Sequence, residues 1–472
     1  MFSKRPLLIG GLGLSASLWL MDVVHANFFD SSTLLSAIAL GSGMWWWQRQ
    51  RPQAAIELQP PTPVERAAVE QAASGVSALI DQLETEAIGH LSAENRAPWP
   101  PRIATHRQRK GDLLAALDRS QLRFGIVGEP GTGKTALLTE LQQTESLGVE
   151  WQELSFDQDA MDQDGLLLLT AGDLTESVRE RLLGYVQSGQ AVTLVFNKQD
   201  HYLPADRDRI VQQLQRRAVE LGSTAVPVEV VAIAAAPNPT RVRRHGSDGQ
   251  IAESLETTPA DLGTLPDQIQ RLAAQQTQPL VAATVLRQVE SWRKEVQGGL
   301  NQLRRDRAMP VVEQLQWAAG ASAFAIPVAS LDLLAAAAIN GQLFMDLGKI
   351  YGLRWSADEA KSLAANVAQL TVKLGLVELS TQALAIALKG HLATYAVGGM
   401  IQGLSAAYLT RMVGLSLIET LETAALEGKE NNLTAGVLGQ RLRELLLSKR
   451  GLQGLVTAGL ERLRPGASVP AT

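Results

Sequence analysis

Apolar residues follow two regimes along the 472-residue chain. From Arg123 to Ala234, short continuous apolar runs alternate with amphipathic stretches. Arg123–Val127, Val149–Ser155, Leu166–Thr170, Ala191–Phe196 and Val228–Ala234 read as strands, too short for helices and rich in residues that suit a sheet buried on both faces. Between them Ala136–Leu141, Leu174–Gln187 and Ala205–Leu221 carry helical periodicity. Strands alternating with helices predict an α/β fold, a doubly wound parallel sheet with ligands at the C-terminal ends of its strands. From Val281 onward strand patterns disappear and an all-α region is expected. Within it Trp317–Ile339 and Leu392–Leu421 are apolar on nearly all sides, which fits either the inside of a bundle or a membrane; Asp332 near a bilayer centre would cost about 2.5–3.5 kcal/mol.

The N-terminal pattern is different again. Lys4 and Arg5 precede the apolar run Leu7–Leu20, and a second run, Leu34–Trp47, ends in Gln48-Arg49-Gln50-Arg51. Three readings are open: a signal peptide cleaved after Val24-His25-Ala26, a soluble helical hairpin, or a transmembrane hairpin. Basic residues at both outer ends and the Trp45-Trp46-Trp47 cluster favour the transmembrane hairpin with both ends cytoplasmic. Asp22, His25 and Asp30 then fall in or near the far loop. A proline-rich spacer through Pro60-Pro61-Thr62-Pro63 leads into an amphipathic helix from Val64 to about Leu91, expected to pack against the later helical domain. Trp99-Pro100-Pro101 is expected to break that arm, with a further turn or two at Asp112–Leu117.

Composition narrows the function classes. A net charge of −5 argues against a general nucleic-acid partner. Only 19% of residues are charged and the mean hydropathy is +0.01, which points to contact with membrane lipids. The absence of cysteine excludes disulfides, thiol catalysis and Cys-ligated zinc, and six scattered histidines offer no H-E-x-x-H pair.

Two motifs carry chemistry. Gly128-Glu129-Pro130-Gly131-Thr132-Gly133-Lys134-Thr135 fits the pattern G-x-x-x-x-G-K-[ST] between a strand and a helix. Its glycines let the backbone bend around a phosphate, so that successive N–H groups and a helix N-terminus face the negative charge. Lys134 would reach the outer phosphates and Thr135 would ligate Mg²⁺. Asn197-Lys198-Gln199-Asp200, directly after a buried strand, fits N-K-x-D. A carboxylate at Asp200 can accept both the N1 and N2 protons of guanine, Lys198 can lay its stem along the base, and Asn197 can tie this loop to the first. The N–H of Ala235, after the next strand, is the expected donor to guanine O6.

On these residues 119 to about 280 resembles an Era-like P-loop GTPase of the translation-factor-related class. The resemblance implies binding of GTP and GDP with Mg²⁺ by Gly128, Gly131, Gly133, Lys134, Thr135, Asn197, Lys198, Asp200 and Ala235. The chain departs from that class at the switches. Gln142–Gly148 is too short for a full first switch, leaving Thr144 as its one threonine. Asp162-Gln163-Asp164-Gly165 spells D-x-x-G but abuts the next strand, and is read as coincidence. Asp157 is the better-placed carboxylate for a Mg²⁺-bound water. No catalytic residue is assigned, and hydrolysis is expected to be slow or to need a protein activator. The basic stretch Arg241–Gly249 reads as a surface strand running into a turn.

A second resemblance lies downstream. Ala325-Ile326-Pro327-Val328-Ala329-Ser330-Leu331-Asp332, Lys349-Ile350-Tyr351-Gly352-Leu353 and Ser405–Gly414 resemble the helical domain of unknown function attached to certain bacterial GTPases, many cyanobacterial, and shared with YcjF-type membrane proteins. The organisation expected is a transmembrane hairpin (1–51), a linker and helical arm (52–118), a P-loop GTPase domain (119–285), a helical membrane-associated domain (286–425) and a C-terminal helix and tail (426–472). The function expected is that of a multi-pass, membrane-anchored GTP-binding protein, its nucleotide domain facing the cytoplasm, whose nucleotide state controls the helical domain or self-association. A nucleotide-independent membrane scaffold on a degenerate P-loop fold stays open. So does an AAA-like ATPase, although Leu169-Thr170-Ala171-Gly172-Asp173-Leu174 lacks the acidic pair that class needs.

Overall fold

The computed structural model describes residues 64–91, 93–144, 148–221, 228–245, 251–325, 329–353, 355–378, 380–382, 397–428 and 434–448. The chain divides into Met1–Pro61 and Thr62–Thr472; the expected transmembrane hairpin at 1–51 lies outside the described residues. Among the described residues no helix is long and apolar enough to cross a membrane.

The central sheet has five parallel strands: β1 (Leu122–Gly128), β2 (Val149–Glu153), β3 (Gly165–Thr170), β4 (Ala191–Phe196) and β5 (Glu229–Ala232). Their order is β2-β1-β3-β4-β5. β1 therefore has a parallel neighbour on each side, with Ile126 opposite Glu153 and Gly128 opposite Leu169. Alternation sends Leu167 and Leu169 to one face, and Leu166 and Leu168 to the other. The second face is covered by α5 (Glu176–Gln187) and α6 (Pro204–Leu221), through Val178, Leu182 and Leu214. The first is covered by α4 (Lys134–Gln143) and by helices from outside the α/β unit. The continuous apolar run of β3 is thus explained, since all six of its residues are buried, whereas the edge strands β2 and β5 keep exposed positions.

The arm consists of α1 (Arg66–His90), the single-turn α2 (Ala93–Arg96) and α3 (Trp99–Ala115). α1 buries Val69, Ala73, Val76, Ile80, Leu83 and Ala87, one stripe at helical spacing. The expected break at Trp99-Pro100-Pro101 is instead the first turn of α3, with the prolines at its opening positions. A proline there gives up only an N–H that has no intrahelical partner, so it starts a helix as readily as it ends one.

α7 (Leu265–Gln275) leads into α8 (Thr277–Ala325), a helix of 49 residues. It runs without interruption through the expected domain boundary at 285. Its first half shares a core with the arm and the sheet, including Val281, Val285, Val289, Trp292 and Val296. Its second half shares a core with α9 (Ala329–Ile350), α10 (Ala357–Lys373), α11 (Val397–Glu427) and α12 (Ala435–Leu447). The apolar stretch Trp317–Ile339 is divided between α8 and α9. α10 opens with Ser356 and Glu359 capping each other's backbone N–H.

Polar joints fix the long helix at two places. Arg287 donates to the Gln163 carbonyl (2.8 Å) just before β3 and to Thr284 Oγ1 (3.0 Å) of its own helix; burial pushes its guanidinium down to about 10. Farther along, Arg304 forks onto Glu86 of α1, with Arg307 as a second partner. Arg305 pairs with Glu422 of α11 (2.7 Å), and the Tyr351 hydroxyl donates to the same carboxylate (2.9 Å). Burial is the main cause, ahead of Glu422, that pushes the Tyr351 hydroxyl far above its ordinary range.

Candidate functional site

The P-loop leaves β1 at Gly128 and returns into α4 at Lys134. Gly131 (φ 82°) and Gly133 (φ 93°) hold left-handed backbone that other residues rarely adopt. At Gly133 a side chain would also collide with the Asn197 amide. Lys134 Nζ donates to the Gly128 carbonyl (3.0 Å), so the ammonium is drawn back over the loop rather than out to solvent.

β4 delivers the second loop to the same edge. Asn197 is 1% exposed and its amide spans two segments. Nδ2 donates to the Thr132 carbonyl of the P-loop (2.8 Å), while Oδ1 accepts from Ala235 N–H (3.0 Å). The Ala235 N–H, expected at guanine O6, is therefore already engaged by Asn197. The exposed residue Ala236 is the next along that loop. Lys198 takes φ 63°, and its Cε lies 4.0 Å from where a Cβ on Gly133 would stand. Asp200 is the middle residue of a short 3-10 turn, Gln199–His201. Its Oδ2 accepts from Asn238 N–H (3.0 Å), and its buried Oδ1 has no hydrogen-bond partner among the described residues.

The remaining expected groups separate into near and far. Thr135 Oγ1 donates to Glu153 Oε2 (2.9 Å), at the C-terminal end of β2 beside the P-loop strand. Asp157, expected to hold a metal-bound water, is exposed in the turn beyond Leu154, whereas the carboxylate on Thr135 is Glu153. Thr144 lies at the far end of α4, about 15 Å of helix from Lys134, and its hydroxyl caps the Glu140 carbonyl. The D-x-x-G segment is at the N-terminal end of β3, the end of the sheet away from the P-loop. There Asp164, with no side-chain exposure, accepts from Arg119 (2.8 Å) and from the Arg123 N–H (2.7 Å). That segment is a structural knot at the start of β3.

One contact had no counterpart in the sequence reading. Glu129, the second P-loop residue, accepts through Oε1 from Ser177 (2.6 Å) and Thr175 (3.0 Å). Thr175 also caps α5 through Val178 N–H, so this carboxylate fastens the P-loop to the start of the helix after β3. Neither Glu129 nor Glu153 has a local signal. The first sits at a variable motif position, and the second matters only because β2 lies beside β1.

The arrangement joins a glycine-bent loop, a helix N-terminus, a lysine and a threonine–carboxylate pair to a second loop carrying an open carboxylate oxygen. A family model described as a domain of unknown function (DUF697) matches residues 287–446, the second part of α8 through α12. That span agrees with the helical domain of the YcjF type. No curated protein matches the chain. A parallel sheet joined to this domain is compatible with a nucleotide-binding fold fused to a helical domain.

Proposed function

We propose that residues 122–263 bind GTP and GDP with Mg²⁺, and that the bound nucleotide acts on the helical domain through the shared helix α8. The observation that carries the guanine assignment is Asp200. Its carboxylate is held from one side by Asn238 N–H, and the other oxygen is buried without a partner. A buried carboxylate oxygen left open is costly unless a donor arrives, and guanine offers N1–H and N2–H together. Asn197 sets the distance between this carboxylate and the P-loop. With Ala235 N–H held by Asn197, the O6 donor passes to Ala236.

The phosphates fit the P-loop amides and Lys134, where the helix N-terminus adds its partial positive charge. Mg²⁺ would be held by Thr135 with Glu153 as its nearby carboxylate, neutralising charge on the phosphate oxygens. Glu153 thus takes the role first given to Asp157. Among the described residues no glutamine or arginine side chain is hydrogen-bonded to the P-loop, so turnover is slow or completed by an activator, on the order of 10⁻⁴ to 10⁻³ s⁻¹ alone. The hydrophobic runs of residues 1–51 support a membrane anchor, with lipid as a further partner and the nucleotide domain on the cytoplasmic side. A reporter at residue 60 appearing outside the cytoplasm would reverse that orientation.

A scaffold that binds no nucleotide would also show Lys134 folded onto its own loop, so binding decides between the readings. The full chain in detergent is titrated with fluorescent GDP, GTP and ATP. Guanine preference is expected, turning to xanthine preference in Asp200→Asn, because an amide presents one acceptor and one donor to xanthine's extra carbonyl. Lys134→Ala should abolish binding, and Glu153→Gln should weaken it only when Mg²⁺ is present. Equal affinity for ATP and GTP would sink the guanine assignment. Turnover near 1 s⁻¹ without a partner would show a complete switch that these residues do not provide.

A further inference from the structure

Strands β6 (Thr240–His245) and β7 (Ile251–Glu256) form an antiparallel hairpin whose two strands pair with each other and not with the central sheet. A lone two-stranded hairpin is marginal in water, so its roots matter more than its own pairing. Those roots are the guanine loop. The chain leaves β5 through Ala234, which exchanges two backbone hydrogen bonds with Asp261 (2.7 and 2.9 Å). It then passes Asn238, whose N–H is donated to Asp200, and enters β6 two residues later. On the return, Thr258 Oγ1 sits 3.3 Å from the Asn238 carbonyl and 3.1 Å from Thr240 Oγ1. Asp261 closes the circuit, since Gln199, the neighbour of Asp200, donates to its carboxylate (2.9 Å). Both ends of the hairpin are therefore bonded to the residues that hold Asp200.

The described side chains of the strands face solvent. Arg241 and Arg243 keep 69% and 63% of their side-chain surface, and both pair with Glu253. Leu255, opposite Arg241 in the register, is 69% exposed. We propose that this hairpin is a lever on guanine-nucleotide release: tilting it draws Asn238 away from Asp200 and loosens the carboxylate that grips the base. The inference rests on the guanine reading above. It adds that release is controlled from a surface element on the base side, independently of the phosphate side.

Two variants of the full-length protein test it. In one, Arg241–Leu255 is replaced by Gly-Ser-Gly between Thr240 and Glu256. In the other, Thr258→Val removes the hydroxyl that joins the two roots. Release of a fluorescent GDP analogue is timed after adding excess GDP, and competition by inorganic pyrophosphate is measured beside it. The shortened hairpin should release GDP about tenfold faster, the scale of one lost hydrogen bond to a charged group, and Thr258→Val severalfold faster. Pyrophosphate competition should stay unchanged, because the P-loop is untouched. General unfolding would lose both readouts, and Thr258→Val decides if the shortened protein does not fold. Wild-type release rates in Thr258→Val would overturn the lever while leaving guanine binding intact. Absence of GDP binding by the unaltered protein would overturn the underlying reading and the lever with it.

Discussion

Asn197→Asp changes one atom at the junction of the two loops, and the structure sets both the sign and the size of its effect. Asn197 is almost fully buried, with Nδ2 donating to Thr132 and Oδ1 accepting from Ala235. An ionised aspartate keeps the second bond but turns an oxygen toward the Thr132 carbonyl, two acceptors facing each other without water. A protonated aspartate can donate there instead. Its folded pKa must therefore lie above the unfolded value of about 3.9. For an acid whose folded pKa is raised, the folded state binds more protons between the two values, so stability falls as pH rises through that window. A shift of two to three units, within the range for buried carboxyl groups, corresponds to about 3–4 kcal/mol lost at pH 8 relative to low pH. Asn197→Ala, by contrast, leaves two groups unsatisfied at every pH and should cost about 2–5 kcal/mol without that dependence. Urea unfolding followed by tryptophan fluorescence, variant against wild type at pH 5 and pH 8, gives the comparison. Trp151, packed on Phe124 at 5.6 Å between ring centres, reports on the sheet. An Asn197→Asp penalty equal at both pH values, or larger at pH 5, would refute the bridging geometry.

Other substitutions test the joints of the fold. Glu86→Ala strands Arg304, whose side chain is only 8% exposed, and should cost about 3–5 kcal/mol in urea unfolding. Replacing Glu86 and Arg304 together with leucine should cost clearly less, because the cation then left without Glu86 is Arg307, which keeps 22% of its side-chain surface. His106 accepts from buried Trp292 Nε1 through Nδ1 (3.3 Å), and burial lowers its pKa. The unfolded chain then binds more protons between that lowered value and about 6.5, so stability should fall as pH drops through this window. Thermal unfolding from pH 8 to pH 5 should show that fall in the wild type and a smaller one in His106→Gln; identical slopes would exclude His106 as the source.

The P-loop and N-K-x-D segments are local arrays, and their chemistry resides in residue types at fixed spacing. They could be found before any fold was known. The five central strands were legible for a related reason: runs such as Leu166–Leu169 are stable only when both faces are covered, which restricts them to a buried parallel sheet. The stripe from Val69 to Ala87 likewise specifies a helix with one buried face. None of these patterns says which strand lies beside which. Only the order β2-β1-β3 brings Glu153 to Thr135. Local pattern also left Trp99-Pro100-Pro101 ambiguous, since proline is compatible with both ends of a helix. The change in composition expected at 285 does not interrupt backbone hydrogen bonding, and α8 runs through it from Thr277 to Ala325. Asn238 and Asp261 carried no signal at all. Their importance comes from partners 38 and 62 residues away, and such pairings exist only once the chain has folded back on itself.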